Sequence, residues 1–215
     1  MTGLTFVFEL CEWIGTAAFA VSGAMTAIDR GSDLFGVLFL SVVTALGGGT
    51  LRDVLIGHLP PRMFSNYRYL LLAAGCALTV FLLARRYRER YIQSEEKIGK
   101  INNLFDAVGL GVFAVSGARI GFEAGFGNNL FLTTFLGMTT AIGGGMMRDM
   151  MTREIPFVLT KRIYAVAAIM GALLCSLMMR AGLPQTAAYA AGMIITVAVR
   201  LMATLFRWDL PKALE

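Results

Sequence analysis

The sequence is poor in charge, in histidine and in cysteine. Only 15% of its 215 residues are Asp, Glu, Lys or Arg, against about 25% in soluble domains. That excludes a soluble globular domain of any size. The single histidine, His58, has no cysteine or carboxylate cluster beside it. No zinc motif, no Ser-His-Asp arrangement and no catalytic carboxylate pair can be drawn, so the chain reads as a non-enzyme without a cofactor. Cys11, Cys76 and Cys175 all fall in apolar stretches without metal-ligand spacing and read as free thiols. The net charge of +5 comes from basic residues grouped between apolar runs. That is the pattern of membrane topology, not of a nucleic-acid-binding surface.

What is abundant is hydrophobicity: 57% of residues are apolar and the mean hydropathy is +0.68. A membrane-spanning helix takes about 20 apolar residues. Seven segments qualify, at 4–28, 34–56, 69–84, 101–120, 129–151, 163–179 and 184–206. The first has no basic residue before it and reads as a membrane helix, not a signal peptide. The fold class expected is an all-α integral membrane protein.

The chain repeats itself. Phe19-Ala20-Val21-Ser22-Gly23-Ala24 returns 94 positions later as Phe113-Ala114-Val115-Ser116-Gly117-Ala118. Thr44-Ala45-Leu46-Gly47-Gly48-Gly49-Thr50-Leu51-Arg52-Asp53 returns 96 positions later as Thr140-Ala141-Ile142-Gly143-Gly144-Gly145-Met146-Met147-Arg148-Asp149. Glu12 matches Asp106, and Pro60 matches Pro156. The chain therefore divides into a first repeat at 1–86, a charged cytoplasmic linker at 87–100, a second repeat at 101–180, and a seventh helix with its tail at 181–215. Each repeat holds three helices. An odd number makes the second repeat enter from the opposite side, so the two are inverted. Arg30, the basic residues from Arg85 to Lys100, and Arg153, Lys161, Arg162, Arg207 and Lys212 fall on one side. Only Arg62, Arg68 and Arg180, with Arg119 at the edge, fall on the other. The richer side should be cytoplasmic, with the N-terminus outside and the C-terminus inside.

Three consecutive glycines in a helix cost roughly 1 kcal/mol each relative to alanine. Close helix packing is one use for them. The other is a broken or kinked helix whose freed carbonyls, at Gly47, Gly48, Gly143 and Gly144, meet a monovalent cation in mid-membrane. Arg52, Asp53, Arg148 and Asp149 lie too deep for lipid contact and read as a charged gate or an ion-pair network. Neighbours on a helix do not face each other, so each needs another partner, with Glu12 and Asp106 the candidates. Ser22, Ser116, Thr44 and Thr140 are candidate pore-lining hydroxyls, and Glu12 and Asp106 would draw cations to opposite mouths.

A Ser-Gly-Ala helix followed by Gly-Gly-Gly-x-x-Arg-Asp, twice over in seven apolar segments, resembles the prokaryotic branch of the trimeric intracellular cation channel family. Bacterial members of that group also carry the label "glycine transporter". The resemblance runs from about Glu9 to Phe206. It implies seven helices in two inverted three-helix repeats plus one, a homotrimer in the bacterial plasma membrane, and a pore in each protomer kinked at Gly47–Gly49 and Gly143–Gly145. It further implies permeant monovalent cations, chiefly potassium with sodium as the other, and membrane lipid as surroundings. The alternative that the same inverted pattern carries is a secondary transporter for a small solute such as glycine.

Overall fold

The computed structural model describes residues 3–160 and 163–208. Lys161, Arg162 and Lys212, which entered the charge count above, lie outside the described residues. The described residues form helices α1 (Gly3–Asp29), α2 (Leu34–Leu55), α3 (Arg62–Ser65), α4 (Tyr67–Arg86), α5 (Arg88–Gln93), α6 (Glu95–Gly121), α7 (Leu130–Met151), α8 (Phe157–Thr160), α9 (Tyr164–Arg180) and α10 (Gln185–Leu205). A π-helical turn at Phe122–Phe126 closes α6.

Among the described residues six helices are long and apolar enough to cross a membrane: α1, α2, α4, α6 extended by its π-turn, α7 and α10. The sixth expected segment, α9, has 17 residues and reaches only about 26 Å at 1.5 Å per residue. Segment 87–100, the expected charged linker, is largely helical. It folds as α5 and the opening turns of α6, and α6 begins six residues ahead of the expected 101.

Side-chain oxygens start the central helices. Asp33 caps α2 by accepting the Gly36 N–H at 2.8 Å, and Asn129 caps α7 by accepting the Leu132 N–H at 3.0 Å. The core is the packing of α1 on α2 and α6, of α6 on α7, and of α2 on α7. Phe19 on α1 and Phe113 on α6 meet at its centre, with ring centroids 5.3 Å apart. They are the repeat-related phenylalanines of the sequence.

The triple glycines do not interrupt their helices. α2 and α7 run unbroken through Gly47–Gly49 and Gly143–Gly145, and the glycines with positive φ are elsewhere, at 31, 57, 125 and 182. The carbonyls of Gly47, Gly48, Gly143 and Gly144 therefore remain within regular helix, and the expected backbone break for a cation is absent. What replaces it is close approach. A Cβ on Gly48 would fall on the Thr140 carbonyl, and one on Gly144 would fall on the Thr44 carbonyl. The two helices cross with backbone against backbone, reciprocally, which only glycine permits there.

Candidate functional site

Two clusters of charge lie along the α1–α6 pair, one on each side of its middle. In the first, Arg148 on α7 donates through Nη1 to Asp106 Oδ1 on α6 and to Ser22 Oγ on α1, both at 2.8 Å. Its Nε donates to Asp149 Oδ1 at 2.9 Å. Arg148 is only 1% exposed and Asp106 2%. A guanidinium that deep holds its charge because two carboxylates face it. Phe157 adds its ring 5.3 Å from the guanidinium carbon.

In the second cluster, Ser116 on α6 donates to Glu12 Oε1 on α1 at 2.7 Å. Tyr69 on α4 donates to Glu12 Oε2 at 3.3 Å, and Arg119 comes within 3.9 Å of the same carboxylate. Arg52 on α2 donates to Asp53 Oδ1 from Nε at 3.0 Å and from Nη2 at 2.7 Å. Ser22 lies against Asp106 while Glu12 lies against Ser116, so α1 and α6 run antiparallel. Ten residues separate the paired positions on each helix, which places the clusters roughly 15 Å apart along the axis.

The duplication maps Glu12 onto Asp106, Ser116 onto Ser22, and Arg52 onto Arg148, yet the clusters differ. The first is closed by the Arg148–Asp106 ion pair. In the second, no Arg52–Glu12 ion pair forms among the described residues. Both instead line a cavity of about 80 Å³ shared with Tyr69 and Ser116. That is room for two or three waters at about 30 Å³ each.

The arginine–aspartate neighbours pair with each other, contrary to the expectation that adjacent residues cannot. The rule concerns the directions of the Cβ atoms, and an arginine is long enough to fold back. The third glycine of each motif lies beside the folded-back guanidinium. A Cβ on Gly49 would lie 3.6 Å from Arg52 Nη2, and one on Gly145 would lie 3.6 Å from Arg148 Nη2. The second oxygen of each aspartate has a separate task. Asp53 Oδ2 accepts the Arg62 N–H, and Asp149 Oδ2 accepts the Phe157 N–H, each at 2.9 Å. These are the first residues of α3 and α8, whose leading N–H groups have no partner within the helix. Each aspartate thus ties the turn after its membrane helix to the arginine inside. Pro60 and Pro156, which recur with the motif, were the signal for that turn.

Thr44 and Thr140, expected as pore-lining hydroxyls, turn their hydroxyls onto their own helices. Each hydroxyl donates to a carbonyl one turn back, at Leu40 and Leu136, at 2.6 Å. Each sits under a glycine of the neighbouring helix, Gly23 and Gly117 respectively. They fill the α1–α2 and α6–α7 seams. Arg200 on α10 points into the bundle. It is buried, donates to Asn103 Oδ1 at 2.8 Å, and stacks 5.0 Å from the Tyr164 ring. Tyr69 and Tyr164, each beside one cluster, escaped the sequence reading. They lie 95 positions apart, so extending the duplication into the third helix of each repeat would have found both. His58 is exposed, and among the described residues no group of three His, Cys, Asp or Glu side chains is placed to hold a metal.

An all-helical polytopic membrane protein, with paired charge clusters inside a duplicated helix bundle, is the class that this geometry defines. By comparison with known proteins the chain belongs to the family described as Glycine transporter, which matches residues 9–85 and 103–180, one match to each repeat. It is 35% identical to a UPF0126 membrane protein of Vibrio cholerae over 96% of this chain and 82% of the relative. It is 36% identical to the UPF0126 inner membrane protein YadS of Escherichia coli over 92% of this chain and 90% of the relative. Solved structures match as closely. One, of TRIC cation channels and their conductance, superposes with a TM-score of 0.84 at 36% identity, covering 96% of this chain and 97% of that one. A prokaryotic TRIC channel in 0.5 M KCl superposes with a TM-score of 0.86 at 30% identity, covering 96% of this chain and all of its own, 100%. A third is the TRIC trimeric intracellular cation channel orthologue from Rhodobacter sphaeroides, at a TM-score of 0.83 and 31% identity, over 94% of this chain and 98% of that one. The prokaryotic TRIC resemblance read from the sequence is thereby borne out.

Proposed function

We propose that this chain is a monovalent-cation channel, permeable to potassium, with one pore in each protomer of a homotrimer. The observation that carries the reading is the pair of charge clusters on α1 and α6, one on each side of the middle of the two helices. One is closed by Arg148 and Asp106, and the other holds Glu12 beside a polar cavity. A path joining the two passes between α1, α2, α6 and α7, where the glycine crossing brings the four helices together. The carboxylates of Glu12 and Asp106 attract cations at either end, and Ser116 and Ser22 supply neutral oxygen beside them. Arg52 and Arg148 set the electrostatic barrier, each restrained by its own aspartate. Likeness to solved TRIC channels over nearly the whole chain supports the same reading.

In this reading α9 completes a seventh crossing, the two three-helix repeats are inverted, and α10 stands outside them. The N-terminus faces outward and the C-terminus the bacterial cytoplasm. Membrane lipid surrounds the trimer, and nucleic acid is no partner.

The test is flux from liposomes holding purified protein, with potassium, sodium and labelled glycine compared in one preparation. Potassium efflux that does not saturate and needs no solute gradient is the expected result. Saturable glycine uptake without cation current would replace the channel by the secondary transporter, the function that the family's description names. Glu12→Gln should lower cation flux severalfold while leaving the trimer intact, because it removes the charge at the cavity and keeps the Ser116 hydrogen bond. Flux equal to wild type would remove Glu12 from the path.

A further inference from the structure

A large pocket lies away from both clusters, where α1 and α4 end and α6 begins. Its volume is about 1070 Å³, at the upper limit of the roughly 300–1,000 Å³ typical of small-molecule sites. The helix ends that form it are ends of membrane spans, at Asp29, Arg86 and Glu95. The pocket therefore sits at the level of lipid headgroups, and α5 lies across it.

The lining is divided by chemistry. Ile28, Phe81, Ala84, Ile92 and Ile98 supply an apolar wall. The charged residues sort by whether they are already engaged. Arg30 pairs with Glu154 at 2.5 Å and Glu96 with Lys100 at 2.6 Å. Asp29 accepts the Tyr91 hydroxyl at 3.0 Å, which holds α5 against α1 across 62 residues of sequence. That leaves Arg85, Arg88 and Glu95, which have no ion pair among the described residues. Two guanidiniums and one carboxylate remain on the rim of an apolar pocket at headgroup depth.

We propose that this pocket binds a phospholipid with a phosphoethanolamine headgroup. Guanidinium groups match phosphate oxygens in bidentate geometry, so Arg85 and Arg88 hold the phosphate. The primary ammonium, with three N–H donors, meets Glu95. The glycerol and first acyl carbons lie on Ile28, Phe81 and Ile98. An anionic phosphatidylglycerol has no cation for Glu95. A choline headgroup has the cation but no N–H to donate. The assignment needs only the membrane placement of the chain and not its channel activity.

The experiment uses purified full-length protein in detergent, stripped of lipid. It is offered phosphatidylethanolamine, phosphatidylcholine or phosphatidylglycerol with the same acyl chains, and native mass spectrometry counts the lipid retained. Phosphatidylethanolamine should be retained about tenfold better than either competitor, a ratio that one good hydrogen bond to a charged group accounts for. The double variant Arg85→Ala/Arg88→Ala should lose that retention. Glu95→Gln should bring phosphatidylethanolamine down to phosphatidylcholine while leaving phosphatidylglycerol unchanged. All three residues are exposed, so the fold is not at risk. Equal or better retention of phosphatidylglycerol overturns the proposal, as does equal retention of phosphatidylcholine or wild-type behaviour of both variants. Displacement of the lipid by equimolar glycerophosphoethanolamine would also overturn it, since the acyl chains would then add nothing.

Discussion

Gly144→Ala adds one methyl group where α7 crosses α2, and the structure sets the cost. The new Cβ falls on the Thr44 carbonyl oxygen, a backbone atom that cannot rotate aside. Carbon and carbonyl oxygen settle at about 3.3–3.6 Å, so the helices must part by roughly 1 Å or more. A gap of about 0.5–1 Å already forfeits a quarter to a half of each dispersion contact across the seam. Overpacking costs about 1–3 kcal/mol, and backbone meeting backbone puts this site at the upper end. Better helix propensity returns about 1 kcal/mol, for a net loss of about 2 kcal/mol. Gly75→Ala on α4 is the control, because nothing lies within 4 Å of its Cβ. Propensity alone acts there, and the variant should gain up to about 1 kcal/mol. Thermal or denaturant unfolding of the two variants in one detergent should therefore separate them by about 3 kcal/mol, with Gly48→Ala behaving as Gly144→Ala does. If Gly144→Ala proved as stable as Gly75→Ala, the glycines would not be there for the crossing.

Other perturbations address the charge clusters. Arg148→Gln leaves Asp106 and Asp149 buried without a cation and should destabilise the protein by about 3–5 kcal/mol, read by the same unfolding measurement. Ser22→Ala removes one hydrogen bond to that guanidinium and should cost about 1.5–3 kcal/mol, whereas Ser116→Ala, beside the cavity, should cost less. Asp53→Ala and Asp149→Ala free the first turn of α3 and α8, so amide exchange at Arg62 and Phe157 should quicken before any global loss of structure.

The long helices were legible because apolar runs bounded by charge are a direct consequence of bilayer solvation. The internal repetition was legible because Ser22-Gly23-Ala24 and the glycine-arginine motifs recur at nearly constant offset, and the family match falls once in each half. α5 and the start of α6 were not, since a charged stretch such as Glu95–Lys100 carries no apolar period to mark it as helix. The partners of Arg52 were missed for a different reason. Helix geometry states where a Cβ points and says nothing of a guanidinium five bonds further out, least of all above a glycine. The bond from Ser116 to Glu12 and the one from Arg148 to Ser22 were not legible, because they join different helices and no local spacing marks them. The local bonds of Thr44 and Thr140 were not legible, because a threonine that bonds its own helix carbonyl has the same sequence signature as one that faces water.

The glycine triplets have a consequence for length as well as composition. Each of the three faces a different neighbour. Gly47 abuts Met147, Gly48 meets the crossing carbonyl, and Gly49 lies beside the Arg52 guanidinium. One residue inserted upstream in α2 would rotate the motif by about 100° and turn all three onto the wrong surfaces at once, with Arg52 carried along. The segment from Leu34 to Asp53 thus behaves as a phased rod. A substitution along it disturbs one contact at a time, whereas a change in its residue count between the Asp33 cap and the Asp53 anchor disturbs them all together, and the same holds between Asn129 and Asp149.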